Sequence, residues 1–259
     1  MALFKIFKRN KKHASKRVVK RIKHKPKPKK HIIKKVVKKA PKIEPKAKLE
    51  FKKMPEEKAY KLLRRYRIPL PDYEFCKKEE ELKAALKKIG FPCVLKVSGD
   101  IIHKTNVNGV RLNVQTEEEA LKAFKELMKI KGCEKVLVQK MITEGYEIIV
   151  GGKKDPQFNR VVALGAGGIF TEFLKDVSFR ITPLSREDAE EMLKEVKFSD
   201  LILKGFRGQK PADANSIIDV ILSVSKIMES NPQIKEIDIN PLFATPTKAI
   251  AADIRIILE

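Results

Sequence analysis

The positive charge of this 259-residue chain is gathered at one end, and that asymmetry bounds what can fold. Residues 1–53 hold 23 Lys and Arg against 2 acids, Glu44 and Glu50, a net of +21. Residues 54–259 hold 34 basic and 31 acidic residues, a net of +3. A segment so densely and singly charged repels itself and has little apolar surface to bury, so it predicts an extension outside any core. Folding falls to a nearly neutral body of 206 residues, enough for one large domain or two small ones. The formal net charge of +24, taken as an average, suggests a nucleic-acid binder. It describes the arm and not the body.

Residues 1–42 contain no acid. Lys25-Pro-Lys-Pro-Lys-Lys cannot be helical, because each proline removes a donor and restricts its predecessor. On one side lie Val18, Val19 and Ile22, and on the other Ile32, Ile33, Val36, Val37 and Ala40, both at helical spacing. Two readings of the arm stand. One is weak, salt-dependent contact with nucleic acid or an anionic membrane surface; the other is a solvated, disordered or loosely helical tail. No aromatics are interleaved to stack on bases, which argues against sequence reading. No apolar run reaches the roughly 18 residues of a spanning helix. The first residues lack the apolar stretch of a secretory signal. Cys76, Cys93 and Cys133 are too few and too scattered for a disulfide framework or a zinc knuckle, which predicts a reducing cytoplasm.

In the body, Pro55 opens a helix with Ala59, Leu62, Leu63 and Tyr66 on one face. Strands are predicted at 73–76, 91–98, 109–115, 136–141, 146–151, 160–164 and 179–183. Helices alternate with them: one carries Leu82, Ala85, Leu86 and Ile89, and one starts at a Thr116 capping box. A third is capped by Ser185, and a long one starts near Asp213. Runs at 234–243 and 249–257 predict a final hairpin-like pair. The mixture, with several antiparallel pairs, predicts an α+β fold in two lobes.

Four places carry candidate chemistry. In Phe91–Ser98, Val94, Lys96 and Ser98 share one face, so Lys96 is either a phosphate ligand or a lysine snorkelling from an edge strand. The loop after it holds His103, the one histidine outside the arm, and then Lys104. His103 is either a structural residue or a phosphoryl acceptor, while Asn108-Gly109 signals a tight turn. Gly165-Ala-Gly-Gly168 follows a strand and offers backbone N–H groups to phosphate; with Phe170 in place of a third glycine it is no dinucleotide fingerprint. Asp238 and Asn240 are two apart in a strand and face one way, with Asp253 in the strand that follows. Three hard oxygen donors suit Mg²⁺; the alternative is a turn-forming Asn-Pro with two solvated acids.

Taken in order, the runs Phe91-Pro-Cys-Val-Leu-Lys-Val, His103-Lys-Thr-Asn-Val-Asn-Gly-Val, Gly165–Arg180, Gly205-Phe-Arg-Gly and Asp238-Ile-Asn-Pro-Leu resemble one family. It is the β subunit of ADP-forming acetyl-CoA synthetase (acetate–CoA ligase), and the resemblance spans 54–259. It implies an ATP-grasp fold whose two lobes clasp the nucleotide, ATP or ADP, with Mg²⁺. It implies Lys96 on the phosphates, the Gln139, Lys140 and Met141 strand against adenine, and Glu147 near the ribose. The glycine loop (Gly165, Gly167, Gly168) would lie at the phosphates, Asp238, Asn240 and Asp253 on the metal, and His103 in the phosphoryl relay. It further implies a CoA-binding α subunit as partner, in an α2β2 heterotetramer. The chain departs from the family pattern at Asn106 and Asn108, beside His103, and at Asn159-Arg160. Two other readings remain: a succinyl-CoA synthetase-type β subunit, and a non-catalytic ATP-grasp module tethered by its arm.

Overall fold

Acids at the front and bases at the back orient the first helix. In the computed structural model, which describes residues 52–101, 104–168, 176–206 and 208–259, α1 (Glu56–Arg65) follows Pro55. Glu56 and Glu57 sit in its first turn and Arg64 and Arg65 in its last, each matching the helix dipole. Its buried face is Glu56, Ala59, Tyr60 and Leu63, with Leu62 and Tyr66 half-buried at the margin. Tyr60 takes the centre, edge-on to Tyr73 and Phe75 with ring centroids 4.6 and 5.7 Å away.

Next come β2 (Tyr73–Cys76), α2 (Glu79–Ile89), β3 (Cys93–Gly99), a 3₁₀ turn (Thr105–Val107), β4 (Val110–Val114), α3 (Glu117–Met128) and β5 (Cys133–Lys140). The strands form one antiparallel sheet in the order β2-β5-β3-β4. The sheet face bearing Cys93, Leu95, Val97, Val136 and Val138 packs with the apolar faces of α2 and α3. Leu137 points the other way, into the core of the second lobe. Strand alternation therefore commits one face of this sheet to its own core and the other to the space between the lobes.

The second sheet comprises β1 (Lys52–Lys53), β6 (Tyr146–Asp155), β7 (Asn159–Ala166), β8 (Val177–Ile181), β9 (Ile234–Ala244), β10 (Ala249–Ala251) and β11 (Ile254–Leu258). Its order is β1-β11-β9-β6-β7-β8, with β10 also on β9, and every pairing is antiparallel. Three helices, α4 (Arg186–Glu195), α5 (Ser199–Lys204) and α6 (Ala214–Ser230), complete this lobe. Ser185 and Asp188 form the expected capping box, and Asp213 caps α6 through the Asn215 amide. The two-lobed α+β architecture agrees with the sequence reading.

Three details differ from it. Lys52 and Lys53, counted with the arm by charge, pair with Leu258 and Ile257. The short helix α5 carried no recognisable signal. The last strand, read as continuous over 249–257, breaks at Ala252 and Asp253. That break shapes the site. Among the described residues, no helix is long and apolar enough to cross a membrane.

Candidate functional site

Lys96 lies on β3, which has β5 on one side and β4 on the other. It is an inner-strand residue and buried, so it is not snorkelling from an edge. Register sets Lys96 opposite Leu137 and Val94 opposite Gln139, so Lys96 and Gln139 share the face turned toward the second lobe. Both donate to a single acceptor. The carbonyl oxygen of Ala252 lies 2.8 Å from Lys96 Nζ and 3.1 Å from Gln139 Nε2, and Tyr60 Oη reaches it at 3.4 Å. The strand break frees this carbonyl: Ala252 N–H bonds Pro241 O, while Asn240 N–H bonds Asp253 O. Burial lowers the Lys96 pKa to about 8, the pull of Asp253 opposing it and the Lys104 charge adding to it.

Beside that carbonyl the metal candidates meet. Asp238, Asn240 and Asp253 line one cavity of about 220 Å³ with Lys53, Lys104, Thr105, Asn106 and Arg255. Each acid has a cationic partner. Asp253 Oδ1 accepts from Lys104 Nζ at 2.5 Å, and Asp238 Oδ2 from Arg255 Nη2 at 3.1 Å. Burial alone would raise the Asp253 pKa, but Lys104 and Lys96 outweigh it and hold the group below the usual carboxylate range. For Lys104 burial pulls downward, and Asp253 and Glu56 outweigh it, raising the pKa well above the ordinary lysine value. Both groups stay charged at neutral pH. Among the described residues no cluster of three His, Cys, Asp or Glu is placed for a metal. The donor set here is two carboxylates and an amide, which suits a hard cation that also keeps waters and phosphate oxygens.

The remaining candidates lie elsewhere. Gly165 is inside β7, paired with Ile149 and Val177, so it offers no free loop amide. The Gly167 N–H bonds Glu147 O at 3.0 Å, and a Cβ there would stand 2.7 Å from the Glu147 backbone. At Gly168, with φ +57°, an added Cβ would stand 3.0 Å from a Glu147 carboxylate oxygen. Glu147, Gly167 and Gly168 thus border a second, larger cleft of about 600 Å³ with Tyr146, Phe198 and Ile202. At the end of β5, the Lys140 N–H bonds Asp72 O and the Met141 N–H bonds Pro92 O. Those amides are engaged, and Gln139 meets the site through its side chain. His103 lies outside the described residues, as do 169–175 and Arg207 of the glycine and Gly205-Phe-Arg-Gly runs.

Sequence reasoning passed over Lys53, Glu56 and Arg255. Lys53 Nζ bonds Gly99 O (3.2 Å), Ile101 O (2.6 Å) and Glu56 Oε1 (3.3 Å). Glu56 Oε1 also lies 2.8 Å from Lys104 Nζ. A glutamate in the first turn of a helix reads as a dipole residue, and no local signal pairs it with a distant lysine.

Comparisons with known proteins bear on the whole body. The ATP-grasp domain family matches residues 48–258. The β subunit of acetate–CoA ligase [ADP-forming] I from Pyrococcus furiosus is 44% identical over 221 residues, covering 82% of this chain and 95% of that protein. Acetate–CoA ligase [ADP-forming] II from Archaeoglobus fulgidus is 43% identical over 204 residues; the match takes 78% of this chain and only 30% of that longer protein. A solved structure of Ca. Korarchaeum cryptofilum dinucleotide-forming acetyl-coenzyme A synthetase 1, in complex with coenzyme A, Ca-AMPCP and HgCl⁺, has a TM-score of 0.73 at 40% identity. It covers 81% of this chain and 93% of that one. The broken strand, the inner-strand lysine and the oxygen-lined cavity therefore sit in a member of the ATP-grasp family, and the chain belongs with the β subunits of ADP-forming acetate–CoA ligase.

Proposed function

We propose that this chain is the nucleotide-handling half of an ADP-forming acyl-CoA synthetase. The reaction is acyl-CoA + ADP + phosphate ⇌ acid + ATP + CoA, with phosphoryl carried on histidine. A CoA-binding α subunit would supply the acyl and CoA sites and the main phosphohistidine, in an α2β2 assembly. The observation that carries the reading is the convergence of Asp238, Asn240, Asp253 and Lys104 on one cavity, with Lys96 buried nearby. Phosphoryl transfer depends mostly on positioning and on charge placed around the phosphates, and this cavity supplies both signs of charge. Lys96 would exchange its bond to the Ala252 carbonyl for a nucleotide phosphate oxygen. Asp238, Asn240 and Asp253 would hold Mg²⁺, which screens the charge of the phosphate oxygens. His103, next in sequence to the cavity residue Lys104, would pass phosphoryl onward: its N–P bond breaks as an O–P bond to ADP forms, leaving neutral imidazole. Glu147 and the β5 end would face the nucleoside.

Two substitutions test the reading. Lys96→Ala and Asn240→Ala are each expected to lower Mg-ADP affinity at least about tenfold by calorimetry. Unchanged affinity in both would remove the nucleotide site from this cavity. With the α subunit present, His103→Ala is expected to abolish turnover and phosphohistidine labelling of this chain.

A further inference from the structure

The strongest unassigned feature is a set of four charges that joins the start of the fold to the cavity. Glu56 is buried, its side chain 1% exposed. Its Oε1 takes both Lys53 and Lys104, and its Oε2 is buried with no hydrogen-bond partner among the described residues. Lys104, with a side chain 8% exposed, spans from Glu56 to Asp253. Lys53 holds the carbonyls of Gly99 and Ile101, at the end of β3 and just beyond it. One Lys–Glu pair from the front of the fold thus grips both described flanks of the segment between β3 and β4. A buried ion pair adds little stability over apolar packing of the same size, so stability does not account for its place here.

Charge accounting gives it a task. Lys104 is shared between two carboxylates, so Asp253 keeps only part of that cation and turns its side chain, 32% exposed, to the cavity. Without Glu56, the whole Lys104 charge falls on Asp253 and competes with any metal there. We propose that Glu56 is a positioning residue for the metal–nucleotide site: it shares the Lys104 charge with Asp253 and holds Lys104, the residue next to Thr105 and Asn106, in place beside the cavity. The inference rests on the proposed Mg-nucleotide site.

The test is calorimetric titration of the full chain with ADP, with and without Mg²⁺, well below the melting temperature of each variant. Glu56→Gln is expected to weaken Mg-ADP about tenfold while metal-free ADP changes less than about twofold. Glu56→Asp keeps the charge and the fold but falls one methylene short of Lys104. Its expected loss is intermediate, about threefold, and it carries the test if the glutamine variant does not fold. Mg-ADP affinity within about twofold of the parent in the folded variants would overturn the positioning role and leave Glu56 a structural residue. Failure of the unmodified chain to bind Mg-ADP would instead overturn the proposed function.

Discussion

At Lys96 a protonated amine is kept where water is scarce, held directly by a backbone carbonyl with the Asp253 carboxylate acting on it from nearby. Burial has brought its pKa to about 8. Phosphate oxygens favour the ammonium form, so binding requires a proton on Lys96 that the free protein loses as pH rises through that value. Mg-ADP affinity is therefore expected to be level between about pH 7 and 7.5, above the titration of the ADP phosphate itself, and to fall about tenfold per unit above the Lys96 value. Calorimetry at about pH 8.5 in buffers of different ionisation enthalpy is expected to show net proton uptake on binding. Binding without uptake at that pH would mean that Lys96 does not meet the phosphates. The residue itself was legible, since a lysine in an apolar strand asks for a reason. Its partner was not: the Ala252 carbonyl is 156 residues away and is exposed only by a strand break.

At the scale of elements, the β3–β4 connection shows how a turn signal was right for a second reason. Asn108 takes the left-handed conformation at φ +51°, as a tight turn predicts. Gly109 is needed for space. A Cβ there would stand 2.4 Å from Val97 Cγ2 and 2.9 Å from the Lys104 carbonyl, which also accepts the Gly109 N–H at 2.7 Å. Gly109→Ala is expected to cost about 1–3 kcal/mol in thermal unfolding and also to weaken Mg-ADP, because Lys104 moves with it. Gly152→Ala is the contrast. Its Cβ would crowd Met228 and Ile237 in the larger core, so stability should fall with affinity unchanged. Equal affinity in both variants would separate the connection from the site. Helix starts were readable because caps are local chemistry, as Pro55, Thr116, Ser185 and Asp213 show. The Asp238–Asn240 pair was readable because two residues along a strand share a face. The break at Ala252–Asp253 was not, because apolar residues run on through it and register alone decides where pairing stops.

At the scale of the molecule, the boundary of charge and the boundary of fold differ by a few residues, and the difference is testable. By charge the arm runs to Lys53. By pairing, Lys52 and Lys53 belong to the larger sheet, and the Lys53 ammonium answers two backbone carbonyls and Glu56. A chain starting at Phe51 is expected to keep the melting temperature and Mg-ADP affinity of the full chain, and to lose any salt-dependent retention on nucleic acid or anionic vesicles. A chain starting at Met54 loses β1 and leaves those carbonyls and one side of Glu56 without their cation. Unpaired groups of that kind cost about 1–3 kcal/mol, which in a domain of this size lowers the melting temperature by roughly 2–12 °C. Affinity for Mg-ADP should fall with it, because the carbonyls of Gly99 and Ile101 lose the lysine that holds the end of β3. If the Phe51 start already lowers the melting temperature, the arm contributes to the fold. If the Met54 start lowers neither quantity, the Lys53 contacts hold neither the fold nor the site, and the charge boundary is the true one.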